Sequence, residues 1–234
     1  MHTAFVAGAT GYTGREVVRA LRAAGIATVA HVRPDSPRLE EWRARFGALG
    51  AQVDATPWDA AAMATTLARV RPTMVFALLG TTRRRGREAA RRGRSESYAS
   101  VDHGLTRLLL DAALTSGGRP RFVYLSAAGV REGTPSAYLA ARARLERELS
   151  GSGLPYTIAR PSFVTGPDRE ERRPLERTAA VAADAVLGIA ARLGARRLAA
   201  RWRSITAAEL AAALVRLALD PAAERRVVGA DALR

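Results

Sequence analysis

The sequence predicts an α/β fold in which a doubly wound parallel sheet carries helices on both faces. Three observations support this prediction. Short apolar runs alternate with longer amphipathic ones, a glycine-rich turn follows the first apolar run, and the 234 residues are 48% hydrophobic and 25% charged. Strands that alternate with helices form parallel sheets with both faces covered. We expect one domain over 1–234, with an irregular portion over about 161–234 that forms a small C-terminal cover for the crevice.

Each short apolar run is predicted to be a buried strand. The first run, Thr3-Ala-Phe-Val-Ala7, is stopped by Gly8. The second closes at Arg33-Pro34, where proline disfavours further pairing. The predicted strands are 3–7, 27–32, 51–53, 73–79, 121–125, 156–159 and 225–228, with a further short strand near Trp202.

The amphipathic runs between these strands predict helices. In 12–24 the apolar side chains recur on one face, and Gly25 supplies a C-terminal stop. Asp59 is the predicted N-cap of a helix that extends to about Val70. After Arg160-Pro161 the pattern loosens, and late segments of this kind cover the ligand crevice in doubly wound folds. The other predicted helices are about 39–46, 98–116, 136–149 and 206–219.

The composition excludes several classes of site. There is no cysteine, which rules out a disulfide framework, a thiolate nucleophile and Cys-ligated metals. The three histidines are scattered along the chain, so we expect no metal site. The net charge is +15 and every one of the 37 basic residues is arginine. We interpret this charge as a solvated arginine surface, with attraction to polyanions as the alternative. Aromatic residues do not interleave with the arginines, so we expect no nucleic-acid partner.

The sequence also predicts a soluble, cytoplasmic protein. The first strand begins directly after Met1-His2 without a basic n-region, so we expect no signal peptide. The longest weakly charged stretch, about 178–191, includes Asp184 and is too short to cross a bilayer. We therefore expect no membrane contact.

A glycine-rich turn lies between the first strand and the first helix. Gly8 permits a tight turn, Gly11 lets backbone N–H groups approach a pyrophosphate, and Gly14 lets the helix pack against the strand. In this strand–turn–helix context, the spacing indicates a Rossmann-type dinucleotide site. The candidate cofactor-binding residues of the turn are Gly8, Thr10, Gly11, Tyr12, Thr13, Gly14 and Arg15.

The end of the second strand distinguishes NADP from NAD. An acidic residue there would bind the ribose 2′-hydroxyl, whereas arginine suits a 2′-phosphate. Arg33 is the candidate in this chain, Arg15 can point the same way, and we therefore predict NADP. The alternative is NAD, with Asp35 turned back to the ribose. Asp54, after the third strand, is predicted to touch the adenine edge or to be a solvated loop carboxylate.

Further motifs carry a family resemblance that covers nearly the whole chain. After the fourth strand, Leu78-Leu79-Gly80-Thr81-Thr82-Arg83 is similar to an LGTTR signature. The other segments are Val101–Gly104 with Leu108–Ala113, Tyr124–Gly129, Arg160-Pro161, Gly166 and Arg169–Glu176 with Arg172-Arg173-Pro174. With the glycine turn, these segments resemble the atypical, NmrA-like side of the short-chain dehydrogenase/reductase superfamily, and in particular its Tat-interacting-protein-like branch.

The resemblance implies an oxidoreductase in which a tyrosine acts as acid and a serine orients the carbonyl. A cation biases the tyrosine and also binds the cofactor by holding the nicotinamide ribose. Tyr138, Ser126 and Arg142 occupy these positions, and Leu79-Gly80 would lie under the nicotinamide ribose. Arg142 stands where the family has lysine, and Ala127 stands where a second serine is common. We predict NADP-dependent hydride transfer to or from a small carbonyl or alcohol. The two departures favour an alternative, a catalytically silent NADP-binding redox sensor or assembly partner.

Two further expectations concern partners. An arginine-rich loop, 83–94, follows the fourth strand on the cofactor side of the sheet. It is either a clamp for an anionic substrate or partner, or a solvated loop. The helices beside the fourth and fifth strands are candidate packing surfaces for a homodimer.

Overall fold

The computed structural model describes residues 2–80, 97–165 and 204–233. Predictions for 83–94, 166–176, 178–191 and Trp202 lie outside these residues. The strands are β1 (Thr3–Ala7), β2 (Ala27–His31), β3 (Gln52–Asp54), β4 (Met74–Ala77), β5 (Arg121–Leu125), β6 (Tyr156–Arg160), β7 (Val164–Thr165), β8 (Ile205–Thr206) and β9 (Arg226–Gly229). The helices are α1 (Tyr12–Ala23), α2 (Leu39–Ala48), α3 (Ala60–Val70), α4 (Thr106–Thr115), α5 (Ala137–Ser150) and α6 (Ala207–Leu219). A π-helical segment, Tyr98–Leu105, leads into α4, and short 3₁₀ turns cover Pro221–Ala223 and Ala230–Ala232.

Seven strands form one parallel sheet in the order β3-β2-β1-β4-β5-β6-β9. The predicted fold class is therefore confirmed. The direction of strand addition reverses between β1 and β4, and ligands of such sheets bind outside the carboxyl ends of the strands at that point. β7 and β8 pair separately as a two-stranded parallel sheet.

The alternation of side chains along β1 explains the two layers of helices. Ala4 and Val6 pack into one core with α1 and α6, whereas Phe5 and Ala7 pack into the other with α3 and α4. Successive strand residues point to opposite faces, so a strand that is apolar throughout must be covered on both sides. The largest helix contact on the first face joins α1 to α6, which anchors the C-terminal helix beside the glycine turn.

The helix predicted over 98–116 is divided in the structure. Residues Tyr98–Leu105 form π-helical turns, and the α-helix begins at Thr106. Ser97 caps the π-helical segment and accepts from the backbone N–H of Ser100 at 3.0 Å. The wider turns alter which side chains face inward, and Asp102 is buried as a result.

Two local predictions can be compared directly with the structure. The Asp59 carboxylate accepts from the backbone N–H of Ala62 at 2.9 Å and caps α3, as predicted. β4 is shorter than the predicted 73–79 and ends at Ala77. The Leu78 N–H still donates to the Ala7 carbonyl, after which the chain turns across Gly8 and leaves the sheet.

Candidate functional site

A cleft of about 440 Å³ opens at the carboxyl ends of β1, β2 and β4. It lies at the reversal of strand order, where the fold places ligands. Fifteen residues form its wall: Gly8, Thr10, Gly11, His31, Arg33, Pro34, Asp35, Pro57, Trp58, Leu78, Leu79, Gly80, Ser100, Val101 and Leu105. Six of them, Gly8, Thr10, Gly11, Arg33, Leu79 and Gly80, were predicted from the sequence to bind a cofactor.

The glycine turn has room for no side chain at two of its three glycines. Gly8 has a φ of +84°, and a Cβ there would lie 2.6 Å from the Leu78 carbonyl oxygen. A Cβ on Gly14 would lie 2.1 Å from the Gly8 carbonyl oxygen. The turn is closed by the Gly11 N–H, which donates to the Gly8 carbonyl at 3.0 Å. The backbone therefore folds tightly enough to expose the start of α1 to the cleft.

The start of α1 is built to receive an anion. Gly11 is the N-cap residue, and within α1, which is described in full, it offers no side-chain cap and the first turn holds no acidic residue. The backbone N–H groups at a helix start and the positive end of the helix dipole favour phosphate. The residues present therefore fit the pyrophosphate of a dinucleotide.

Four predicted residues of the turn are not part of the described cleft wall. Gly14 is buried beneath the turn, where it permits close packing. The Tyr12 hydroxyl donates to the Thr165 carbonyl at 3.1 Å and connects α1 with β7. Cofactor contacts by the side chains of Tyr12, Thr13 and Arg15 stay predictions.

At the end of β2, the cleft wall holds a cation and an anion. The Arg33 Nε lies 3.8 Å from the Asp35 carboxylate, and both side chains are partly exposed. Arg33 is the residue predicted to bind a 2′-phosphate, and Asp35 is its predicted competitor for the ribose. The structure brings both residues to the same part of the cleft.

His31 and Trp58 form an aromatic part of the wall that the sequence analysis missed. Their ring centroids lie 4.7 Å apart in an edge-on arrangement. The His31 Nε2–H donates to the Thr56 carbonyl at 2.8 Å. Burial lowers the pKa of His31, although the bond to Thr56 and the charge of Asp54 oppose the shift. The available signal was the position of His31 at the end of a buried strand.

The structure places Asp54 behind the described wall rather than in it. Its carboxylate accepts from the Thr56 backbone N–H at 2.9 Å and from Arg69 at 3.2 Å. These bonds shape the loop that presents Pro57 and Trp58 to the cleft. In this arrangement Asp54 supports the loop, and its predicted contact with adenine stays a prediction.

Arg142 is buried below the floor of the cleft. Its Nη2 donates to Asp102 at 2.9 Å, and the two side chains are 7% and 0% exposed. Its Nη1 donates to the Leu125 carbonyl. A Cβ on Gly80, which lines the cleft, would lie 3.3 Å from Nη2, so this cation lies close to the Gly80 part of the wall. Among the described residues, the Nε of Arg142 is a buried donor without a partner.

Tyr138 lies one helical turn before Arg142 and packs against it. The guanidinium carbon lies 4.7 Å from the Tyr138 ring centroid, within the range of a cation–π contact. Tyr98, from the π-helical segment, contacts the same ring edge-on at 5.3 Å. The predicted four-residue spacing therefore brings Tyr138 and Arg142 together, and the guanidinium contacts the face of the tyrosine ring.

Ser126 is buried at the end of β5, and its hydroxyl donates to Glu146. The same carboxylate accepts two bonds from Arg160, one of them from Nε at 3.0 Å. A hydroxyl has one proton to donate, so in this arrangement the Ser126 oxygen can only accept from a ligand. Ser126 could therefore orient an alcohol directly, whereas donation to a carbonyl requires that it leave Glu146. The sequence analysis missed Glu146 and Arg160 as partners of this serine.

The chain belongs to a family described as NAD(P)H-binding, whose model matches residues 8–221. The match begins at the first glycine of the turn and includes the cleft, Tyr138 and Arg142. This match to an NAD(P)H-binding family confirms the resemblance to atypical short-chain dehydrogenases/reductases. The chain is therefore an NAD(P)-binding protein with a Rossmann-type fold.

Two curated relatives are fungal proteins. The protein fmp52-1, mitochondrial, of Aspergillus terreus is 32% identical over 109 residues, which are 46% of this chain and 44% of that protein. Its namesake from Aspergillus oryzae is 32% identical over 106 residues, 45% of this chain and 42% of that protein. The matched region thus spans less than half of these relatives.

Solved structures with similar folds include sugar-nucleotide epimerases and reductases. A UDP-glucose 4-epimerase from Thermotoga maritima superposes with a TM-score of 0.64 at 19% identity, over 98% of this chain and 77% of that one. A structure from a study of pinoresinol-lariciresinol and phenylcoumaran benzylic ether reductases gives a TM-score of 0.67 at 13% identity, over 100% and 74%. These likenesses show the fold. No helix in the described parts of the chain has the length and apolar character needed to span a membrane.

Proposed function

We propose that the protein is an NADP-dependent oxidoreductase of the atypical short-chain type that acts on a small carbonyl or alcohol. One observation carries the proposal. The cleft wall joins the uncapped start of α1 and Arg33 at one end to Gly80 at the other, directly above Arg142 and its contact with Tyr138. The groups that would bind phosphate line this cleft, and Tyr138, which would handle the proton, contacts Arg142 beside Gly80.

The residues that would hold the dinucleotide follow from the wall. The backbone from Gly8 to Gly11 would bind the pyrophosphate, and Arg33 would bind the 2′-phosphate. Gly80 leaves space for the nicotinamide ribose because its missing side chain exposes the backbone above Arg142. When bound, the nicotinamide supplies or accepts the hydride.

Tyr138 would hold the proton exchanged with the substrate oxygen. The guanidinium carbon of Arg142 lies 4.7 Å from the Tyr138 ring centroid, and this cation–π contact would position the phenol. Arginine keeps its own proton at any ordinary pH, so Arg142 would not relay a proton. Burial raises the pKa of Tyr124, against the opposing charge of Arg142, and this keeps the second phenol near the cation protonated.

The test is a substrate screen with the Tyr138→Phe variant. We expect NADPH-dependent reduction of a carbonyl by the wild type and its loss in the variant, because the phenol proton is gone. NADPH affinity should change by no more than a few-fold, because the Tyr138 ring is retained. Tyr156→Phe, in β6, is the matched control and should keep both activity and affinity. Activity that survives in Tyr138→Phe would contradict the assignment.

The second candidate function is a catalytically silent NADP-binding sensor or assembly partner. It is favoured by the closed bonding around Arg142 and Ser126, whose polar groups are largely satisfied by Asp102, Leu125 and Glu146. This function predicts saturable cofactor binding with no turnover on any carbonyl or alcohol in a broad screen. It also predicts a binding partner or oligomer whose affinity changes between NADP⁺ and NADPH.

We also propose a cytoplasmic location and a small-molecule substrate, with the homodimer as the first assembly to test. The curated fungal relatives carry the word mitochondrial in their names, so location needs its own experiment. Fractionation of cells that express the full-length protein should recover it with cytoplasmic markers. Recovery with a membrane-enclosed compartment would contradict the proposal.

A further inference from the structure

Glu146 is a buried carboxylate of α5 whose two oxygens both have donors. The residue is 6% exposed. One oxygen accepts from the Ser126 hydroxyl and from the Arg160 Nε at 3.0 Å, and the other accepts from the Arg160 Nη2. A carboxylate accepts at both oxygens, and a guanidinium that binds both of them fixes its orientation. Glu146 therefore acts toward Ser126 as an acceptor.

The backbone of Ser126 is held on both sides. Its N–H donates to the Ala159 carbonyl of β6 at 2.8 Å, and the Leu125 carbonyl of the same peptide bond accepts from Arg142. The hydroxyl can therefore change its partner only by rotation of the side chain. The bond from Arg142 also places Ser126 beside the cation that contacts Tyr138.

An alcohol and a carbonyl make different demands on this serine. The hydroxyl of an alcohol can donate to the Ser126 oxygen while its own oxygen accepts from the Tyr138 phenol. A carbonyl oxygen can only accept, so it gains no bond from Ser126 while that hydroxyl donates to Glu146. To release the proton of Ser126, a carbonyl would have to remove a donor from a buried carboxylate, which costs free energy.

We infer that Glu146 is a positioning residue that holds the Ser126 hydroxyl as an acceptor toward the substrate, so that the site favours an alcohol over the matching ketone. This inference rests on the proposed function, which leaves the choice between alcohol and carbonyl open, and it deepens that function. Arg160 supports the arrangement because it fixes both oxygens of Glu146.

The test compares an alcohol with its ketone in complexes that cannot react. The alcohol is titrated into the NADPH-loaded protein and the ketone into the NADP⁺-loaded protein. The probes are cyclohexanol and cyclohexanone, or the pair with the highest turnover in the substrate screen. Because no variant alters the equilibrium of the reaction, the dissociation constants are the direct readout. We expect the wild type to bind the alcohol about 2- to 12-fold tighter, the worth of one hydrogen bond.

The double variant Glu146→Met with Arg160→Met removes the acceptor. It replaces both charges with apolar side chains, so neither charge is left buried alone. The Ser126 proton is then available to a carbonyl, and the ketone should bind about 2- to 12-fold tighter, whereas the affinity for the alcohol should not rise. The matched control, Glu40→Met with Arg43→Met, removes an exposed ion pair on α2 and should change neither affinity.

Ser126→Ala distinguishes positioning from a general structural role. Alone, it should weaken the alcohol about 2- to 12-fold and leave the ketone unchanged, because only the alcohol uses the Ser126 oxygen. In this background the Glu146 and Arg160 exchange should no longer favour the ketone.

Three results would overturn the role of Glu146 while the proposed function stands. They are a ratio of the two affinities that the double variant leaves unchanged, a gain for the ketone that persists without the Ser126 hydroxyl, and tighter binding of the ketone by the wild type. A wild type that binds no cofactor, or that turns over no pair in the screen, would overturn the proposed function and the inference together.

Discussion

The two ends of the cleft differ in how their polar groups are satisfied. At the glycine turn, the backbone N–H groups that start α1 have no side-chain cap within that fully described helix, and Arg33 is partly exposed. Below Gly80, Arg142 and Asp102 are buried as a pair, and Ser126 is bonded to Glu146. Among the described residues, the first end presents polar groups to the cleft, and we call it the open end. The second end bonds mainly to other parts of the protein, and we call it the closed end. A cofactor can therefore meet polar groups already presented to the cleft, whereas a carbonyl substrate must displace existing bonds at Ser126.

This difference follows from where each end lies in the fold. The glycine turn joins β1 to α1 at the carboxyl end of the sheet, so the start of the helix faces the cleft. Arg142 lies inside α5, which packs against the π-helical segment. A cation buried there needs an anion from the neighbouring element, and Asp102 supplies it. The closed end thus results from burial of the residue that replaces the family's lysine.

The largest expected effect comes from a variant that disrupts the bonding at the closed end. Asp102→Asn removes one partner of a buried ion pair and should lower the free energy of unfolding by about 3–5 kcal/mol. Because Asp102 anchors the segment with Ser100 and Val101, NADPH affinity should fall as well. Chemical denaturation measures the first effect and calorimetric titration the second.

A double variant tests whether charge pairing is the cause. Asp102→Leu with Arg142→Met replaces both charges with apolar groups and should recover most of the lost stability. Stability of Asp102→Asn equal to that of the wild type would show that Arg142 does not depend on this carboxylate.

The second largest expected effect comes from a variant that distorts the glycine turn at the open end. Gly14→Ala would place a Cβ 2.1 Å from the Gly8 carbonyl oxygen, so α1 must shift away from the turn. We expect a loss of about 1–3 kcal/mol in unfolding free energy, together with loss of NADPH binding. Gly47→Ala in α2 is the control, since nothing lies within 4 Å of its added Cβ. An affinity for NADPH that is unchanged in Gly14→Ala would contradict the role of the turn.

The smallest expected effect is a pH dependence of stability that comes from His31 in the aromatic part of the cleft wall. His31 has a lowered pKa in the folded protein, chiefly through burial, so below about pH 6.5 the unfolded chain binds the proton more readily. Its contribution to stability is therefore present above that pH and is lost as the pH falls. The slope should be at most about 1.4 kcal/mol per pH unit.

Denaturation curves from about pH 8 to about pH 5.5 measure this slope. His31→Gln should reduce the dependence on pH, because it removes the group whose pKa is lowered by burial. Identical slopes in the wild type and His31→Gln would rule out a buried neutral His31.

The sequence predicted the features that depend on neighbours along the chain. The glycine turn, the cap at Asp59 and the strand–helix alternation are all local patterns, and each appears in the structure. Arg33 could be placed because it follows the carboxyl end of β2, close to the point where the strand order reverses. The fold and the open end of the site were therefore accessible from sequence.

The closed end was not accessible, because its partners are distant in sequence. Asp102 meets Arg142 only through the π-helical turns, and the apolar spacing of one short segment does not distinguish those turns from an α-helix. Glu146 resembles a surface residue of an amphipathic helix until β5 and β6 bring Ser126 and Arg160 to it. The burial of these charges is a tertiary property.

The central claim is that the open end binds a dinucleotide, and calorimetric titration of the wild-type protein with NADPH and then NADH tests it most directly. The account predicts saturable binding of one cofactor per chain, with NADPH the tighter ligand through Arg33. Absence of heat and of saturation with both cofactors would contradict the account of the glycine turn. Tighter binding of NADH would contradict the assignment of Arg33.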